Sequence, residues 1–168
     1  QRLTAGAITG TTTTIYLADG TKIQHEYSDG QQDEYRGSLV YYNSGEFSES
    51  FGGGRIVGTN DGTSSEVHYF LTDHLGSTRV VAKVTPTRRE DLDRKDYYPF
   101  GKAWEQPDMP TSDNRYTFSG KEEQLAGTSS AHYLDFSARF YDPEGVIFIQ
   151  QDPLQDDSPI LSAYTYCG

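Results

Sequence analysis

The chain has 168 residues, a hydrophobic fraction of 34% and a formal net charge of −11, which bounds it to about one domain with a modest core. The acid excess argues against a nucleic-acid partner, because binding a polyphosphate begins with clustered Lys and Arg. The two basic pairs, Arg88-Arg89 and Arg94-Lys95, are diluted by Glu90, Asp91, Asp93 and Asp96.

Thirteen Tyr, eight Phe and a single Trp must supply much of the buried surface, and with seventeen Gly they suit short strands and tight turns better than helices. One cysteine, Cys167, excludes an intrachain disulfide and leaves the redox compartment open. No apolar run approaches the roughly twenty residues needed to cross a bilayer, and Gln1-Arg2-Leu3 opens no signal-peptide core. A start without Met and a stop straight after Tyr164-Thr165-Tyr166-Cys167-Gly168 read as a piece of a longer polypeptide, with any export signal upstream.

From the N-terminus, residues 1–84 read as successive hairpins. Their turns are Ala18-Asp19-Gly20, Ser28-Asp29-Gly30, Asn43-Ser44-Gly45, Gly52-Gly53-Gly54 and Asn60-Asp61-Gly62. Thr21, Ile23, His25 and Tyr27 are expected on one strand face, with Lys22, Gln24 and Glu26 on the other. An aromatic shortly before Asp-Gly recurs in Tyr16-Leu17-Ala18-Asp19-Gly20 and Tyr27-Ser28-Asp29-Gly30, as a repeat or by chance in so Tyr- and Gly-rich a chain. Val67 to Val81, folded about Asp73-His74-Leu75-Gly76, is the clearest hairpin.

Residues 85–96 are charged and contain Pro86, so they read as a protruding loop, with a short helix over Arg88 to Arg94 as the alternative. Residues 97–168 form a more irregular C-terminal part. Strands are expected over Asn114 to Gly120, Tyr133 to Tyr141 and Val146 to Ile149, with a turn at Asp142-Pro143-Glu144-Gly145. Lys121 to Ser130 should be an exposed excursion, and Ser158-Pro159 should start one helical turn.

Several segments together resemble the Rhs (YD-repeat) family in its repeat-associated core. They are Tyr69 to Arg79, similar to YxxxDHLGSTR; Asp96 to Gly101, similar to YxPFG; Tyr116 to Glu122; Tyr133 to Pro143, similar to LxxxxARxYDP; and Phe148 to Leu154, similar to FxxxDPL. The specific match runs over residues 67–168, and the earlier residues match only as degenerate hairpins. The resemblance implies an all-β architecture of antiparallel hairpins in a curved YD-repeat-type sheet, within a secreted or surface shell that encloses or presents a C-terminal polypeptide, sometimes a toxin. Neighbouring YD repeats and that cargo would be its partners, and isolated sheet edges would associate.

Two rival functions stay open. One is an autoproteolytic aspartate core: toxin-bearing members cut themselves near a second Asp-Pro-x-Gly that this sequence does not contain, and Asp152 is the residue that resemblance nominates. No second carboxylate is identifiable, and Asp142 and Asp152 both suit turns ahead of Pro. The other is a surface module in which Tyr side chains and Trp104 stack on sugars or a partner, whereas packing in a shell should bury those rings. Asp73-His74 has no Ser, Cys or second His spaced as a triad, and is read as fixing its turn. Arg79 and Arg139 are expected to pair with interior carboxylates rather than to bind substrate. The scattered His25, His68, His74 and His132 form no metal site, and Gly52-Gly53-Gly54-Arg55 lacks the Lys-Ser/Thr of a phosphate loop. No cofactor is expected.

Overall fold

A computed structural model describes residues 11–104, 108, 110–125, 132–157 and 160–166. Among these the chain is almost entirely β, in antiparallel sheets of nine, two and four strands, none closed into a barrel. The nine-stranded sheet comprises β1 (Thr13–Tyr16), β2 (Lys22–Glu26), β3 (Gln32–Arg36), β4 (Leu39–Tyr41), β5 (Glu46–Phe51), β6 (Gly54–Thr59), β7 (Ser65–Thr72), β8 (Thr78–Val84) and β9 (Arg89–Arg94). Spatial order follows chain order throughout, so every connection is a hairpin.

One turn recurs in these hairpins. The residue three before a glycine accepts that glycine's N–H and donates its own N–H to a carbonyl just beyond it, as at Tyr27/Gly30, where the distances are 2.9 and 2.8 Å. Gly30 sits at φ 81°, a left-handed conformation that costs glycine little. Leu17/Gly20, Tyr42/Gly45, Asp73/Gly76, Tyr98/Gly101 and Thr117/Gly120 repeat the pattern. The repeat is therefore real at the level of the turn, although its key position holds Tyr in only some copies. Aspartate reinforces it by accepting the N–H two residues on, as Asp19, Asp29 and Asp73 do.

Period two decides the faces. The inward face of the large sheet carries His25, Asp33, Tyr35, Val40, Ser48, Arg55 and His68, all buried. At β1–β2 the pairing shifts from Ile15↔Gln24 to Tyr16↔Lys22. This bulge re-aims Lys22 toward the inner carboxylates Glu122 and Asp135, which corrects the expectation that it lies with Gln24. On the outer face Phe51 lies over its cross-strand partner Gly54, whose missing Cβ leaves room for the ring and for the His68 carbonyl.

Residues 89–94 depart from the loop or helix expected there. They form β9, the edge strand, which needs hydrogen bonds on one side only, and Pro86 falls in the preceding turn closed by Thr85 and Arg88. The charge that suggested a loop is edge chemistry: Arg89 and Arg94 both pair with Asp91.

The two-stranded sheet is β10 (Asp96–Tyr97) with β11 (Ala103–Trp104), and the four-stranded one is β12 (Glu122–Leu125), β13 (His132–Asp135), β14 (Phe140–Asp142) and β15 (Ile147–Phe148). The single strand expected over Tyr133 to Tyr141 is split by a turn in which Ser137 takes φ 67°, and Val146, at φ 57°, stands outside β15. Asn114 to Gly120 is no strand: it makes one bridge, Tyr116↔Glu122, and ends in a 3-10 turn at Phe118–Gly120. The expected excursion from Lys121 begins with β12, where Glu122 and Gln124 are buried; residues 126–130 and the turn at Ser158-Pro159 lie outside the described residues. Phe118, Leu134, Tyr141 and Phe148 form the core here, with Tyr97, Phe136 and Tyr166 packed against it.

Gly54→Ala should lower stability by about 2 kcal/mol or more, because its methyl would meet backbone as well as Phe51, whereas Gly52→Ala, with open space around it, should stay within about 0.5 kcal/mol. Urea denaturation of the two variants checks the contrast.

Candidate functional site

The inner face of the large sheet and the C-terminal half meet along a seam of buried charge. Asp33, 2% exposed, receives a hydrogen bond from the Tyr27 hydroxyl at 2.6 Å, one from the Asn43 N–H at 3.1 Å and one from Arg115 Nη1 at 2.6 Å. The Arg115 guanidinium also lies over the Tyr42 ring, 4.6 Å from its centroid. Glu122 accepts from the Tyr35 hydroxyl at 2.7 Å and from Lys22 at 2.9 Å, and Asp135 accepts from the Tyr16 hydroxyl at 2.8 Å.

Burial raises the pKa of the Tyr16 and Tyr35 phenols, and the carboxylates they serve push the same way, so they remain protonated donors. Arg55, 0% exposed, reaches Asp113 at 2.7 Å, and the neighbouring Ser112 hydroxyl donates to Asp93 at 3.0 Å. Carboxylates buried this thoroughly are tolerable only when donors surround them.

The motifs picked out in the sequence serve the same assembly. Asp73 accepts from the Leu75 and Ser77 N–H groups and from Arg79, so it fixes its turn as expected, and His74 is exposed. Ser77 then accepts the Ser119 N–H at 3.0 Å, and the Thr78 N–H donates to the Thr117 carbonyl at 3.1 Å, which docks two copies of the recurrent turn on each other. Tyr141 ties the next copy down by donating to the Phe100 carbonyl at 2.8 Å.

Asp152 follows β15. Its Oδ2 pairs with Arg139 Nη2 at 3.0 Å, its Oδ1 accepts the Leu154 N–H at 2.9 Å, and its own N–H donates to the Ala163 carbonyl. The carboxylate is 34% exposed. Asp142 likewise accepts an N–H two residues on, from Glu144. Both aspartates have the geometry of turn-formers ahead of proline.

Two arrangements went unread in the sequence. The first is the seam, whose partners across the two halves are separated by 58 to 119 positions; the available signal was an acid at an inward position of a period-two strand, Asp33 two residues before Tyr35. The second is a cleft of about 1140 Å³ between the turns near Asp29 and Asn43, the β10–β11 hairpin, the segment around Asp113 and the four-stranded sheet. Shell packing was expected to bury the aromatic rings, yet Tyr98 and Trp104 stack nearly parallel, 5.3 Å between centroids, and are 47% and 55% exposed. No group of three or more His, Cys, Asp or Glu among the described residues is placed to hold a metal ion.

No protein-family model and no curated protein matches the chain. Its fold is shared with chains in the crystal structures of TcdB2-TccC3-TEV (TM-score 0.68, 16% identity, covering 98% of this chain and 9% of that one), TcdB2-TccC3 and TcdB2-TccC3-Cdc42 (each TM-score 0.66, 16% identity, covering 92% and 8%). At that identity the likeness is one of fold, and the chain spans less than a tenth of the length of those it matches.

The seam should make stability depend on pH through His25, whose pKa is pushed down from 6.5 to about 4, first by burial and then by the nearby Lys22. The unfolded chain takes up a proton near 6.5 that the folded chain refuses until about 4, so stability falls as pH drops through that window. Between about pH 7 and about pH 5 this single group should cost about 2 kcal/mol. Urea midpoints should show that slope in the wild type and a flatter one in His25→Gln. In the same assay Arg115→Met should cost about 3–5 kcal/mol by leaving Asp33 buried without its cation.

Proposed function

We propose that the chain is a wall-building segment of an Rhs-type β-shell that encloses or presents a C-terminal polypeptide, a toxin in some such shells, within a secreted or surface-exposed protein. The observation that carries this reading is the nine-stranded sheet in strict chain order. A hairpin sheet of this kind grows by adding neighbours at an edge, and each added hairpin buries a face it could not bury alone. The C-terminal half, where four of the five Rhs-like motifs lie, fastens onto the inner face of that sheet. The fold shared with short stretches of much longer chains supports the same reading, as does the structural use of Asp73, Arg79, Ser77 and Phe100 from those motifs. Neighbouring repeats and the cargo are the partners it implies. Among the described residues no helix is long and apolar enough to cross a membrane.

On this reading the chain works without chemistry of its own, and Asp152 braces the return of Ala163 and Tyr164 toward β15 through Arg139 and its own N–H. Mass spectrometry of the longer polypeptide, as wild type and as Asp152→Asn, separates this from the self-cleaving alternative. An uncut product in both supports a shell segment. A wild type split beyond this region but intact in the variant replaces the reading with an aspartate autoprotease.

The exposed Tyr98–Trp104 pair favours a second reading, a surface that stacks on sugars or a partner. Trp104 is the single tryptophan of the chain, so intrinsic fluorescence reports on it directly. Saturable quenching by an oligosaccharide panel, lost in Tyr98→Ala, would support that reading, and unchanged emission across the panel would remove it.

A further inference from the structure

The cleft of about 1140 Å³ has a chemistry that neither reading above uses. It is lined by six carboxylates, Asp29, Asp33, Asp113, Glu123, Asp142 and Glu144, against Lys95, Lys102, Arg115 and His132; Lys95 pairs with Asp93 outside this set, and His132 meets Glu123 at 2.7 Å. Of the six, Asp33 is spent on Arg115. Asp113 is 59% exposed although it pairs with Arg55, and Glu144 is 71% exposed. Glu144 meets Lys102 at 2.6 Å with that lysine 50% exposed, an ion pair of the kind an incoming cation exchanges at little cost. Four tyrosines, Tyr27, Tyr42, Tyr97 and Tyr133, line the walls; the Tyr27 and Tyr97 hydroxyls are given to Asp33 and the Thr78 carbonyl, and Arg115 and Arg79 lie over the Tyr42 and Tyr97 rings.

We propose that this cleft binds a basic, extended polypeptide segment. The acids are dispersed rather than convergent, since no three His, Cys, Asp or Glu among the described residues come together at metal-binding distance. That arrangement suits a ligand carrying several separated cations and does not suit one metal ion. The volume lies at the upper end of the roughly 300–1,000 Å³ of small-molecule sites, room enough for a short stretch of chain. Of the four wall tyrosines, Tyr133 stands outside those contacts, and its ring can meet an ammonium or guanidinium group of such a stretch. The proposal stands independently of the shell reading, because it needs only the cleft and its charge.

The test uses the chain with a fluorescein-labelled peptide of alternating lysine and glycine, its binding followed by anisotropy at low and at physiological ionic strength. Asp29→Asn, Asp142→Asn and Glu144→Gln combined keep the turn-forming carbonyls and remove three charges from the cleft. Glu26→Gln, Glu34→Gln and Glu49→Gln remove three from the opposite, outer face. The cleft variant should weaken binding about tenfold or more and the outer-face variant about twofold or less. Equal losses in the two would show attraction to net charge alone and overturn the proposal. Displacement by spermine at matched charge, as complete as by unlabelled peptide, would overturn the polypeptide in favour of a small polyamine. Amide chemical-shift changes on adding the peptide to the wild type provide a check that needs no variant: they should cluster at Asp29, Tyr133 and Glu144, and clustering on Glu26, Glu34 and Glu49 would sink the idea.

Discussion

Asp33 is a carboxylate at an inward position of a β-strand, and the surrounding architecture meets its demand for donors. Removed from water it would cost several kcal/mol on its own, and what offsets this comes from three places: Tyr27 on the preceding strand side, the Asn43 N–H in a turn, and Arg115 in the C-terminal half. The same solution is repeated with Glu122 and Asp135, which reach back to Tyr35, Lys22 and Tyr16. The interior is held by phenols and cations donating to carboxylates as much as by apolar burial, which is how a chain only 34% hydrophobic encloses a face of nine strands. Such pairs contribute less net stability than apolar packing, but they are directional, and they fix which segment lies where.

The recurrent turn supplies the second constraint. The key residue and its glycine are three apart in every copy, and four of the eight connections of the large sheet share this one geometry. Two of those turns, at Asp73/Gly76 and Thr117/Gly120, are also docking pieces, so the local device that makes hairpins is reused to join the halves. The exposed aromatic pair and the cleft both border a third, Tyr98/Gly101, which the Tyr141 hydroxyl holds in place. The features available for recognition are thus carried on a turn anchored to an aromatic core.

What was legible in the sequence was local. Glycine-marked turns and the period-two run around Asp73-His74-Leu75-Gly76 specify hairpins within a few residues, and the all-β architecture followed. Where the reading failed, the deciding interaction lay elsewhere. Residues 89–94 look like a solvated loop by composition, yet an edge strand with one neighbour accepts that composition. Ser137 carries no sign that it will take a left-handed conformation and divide a strand. Nothing around Arg115 in the sequence points to Asp33, and only the fold brings the two together across 82 positions. Lys22 was assigned to the wrong face because a bulge inserts one residue that alternation cannot foresee.

The separation between those partners also fixes an order of events in time. Hairpins of the large sheet close loops of a few residues, which costs little chain entropy, whereas Tyr16 waits for an acceptor 119 positions later. A chain emerging from the ribosome N-terminus first therefore pairs its early strands while Asp33 and His25 are still hydrated. Their inner face becomes dry only once the segment from Arg115 to Asp135 has been made and has folded back. Desolvation of the charged face and arrival of the distal half are one step, so the growing polypeptide is spared a stage with bare carboxylates buried in its interior.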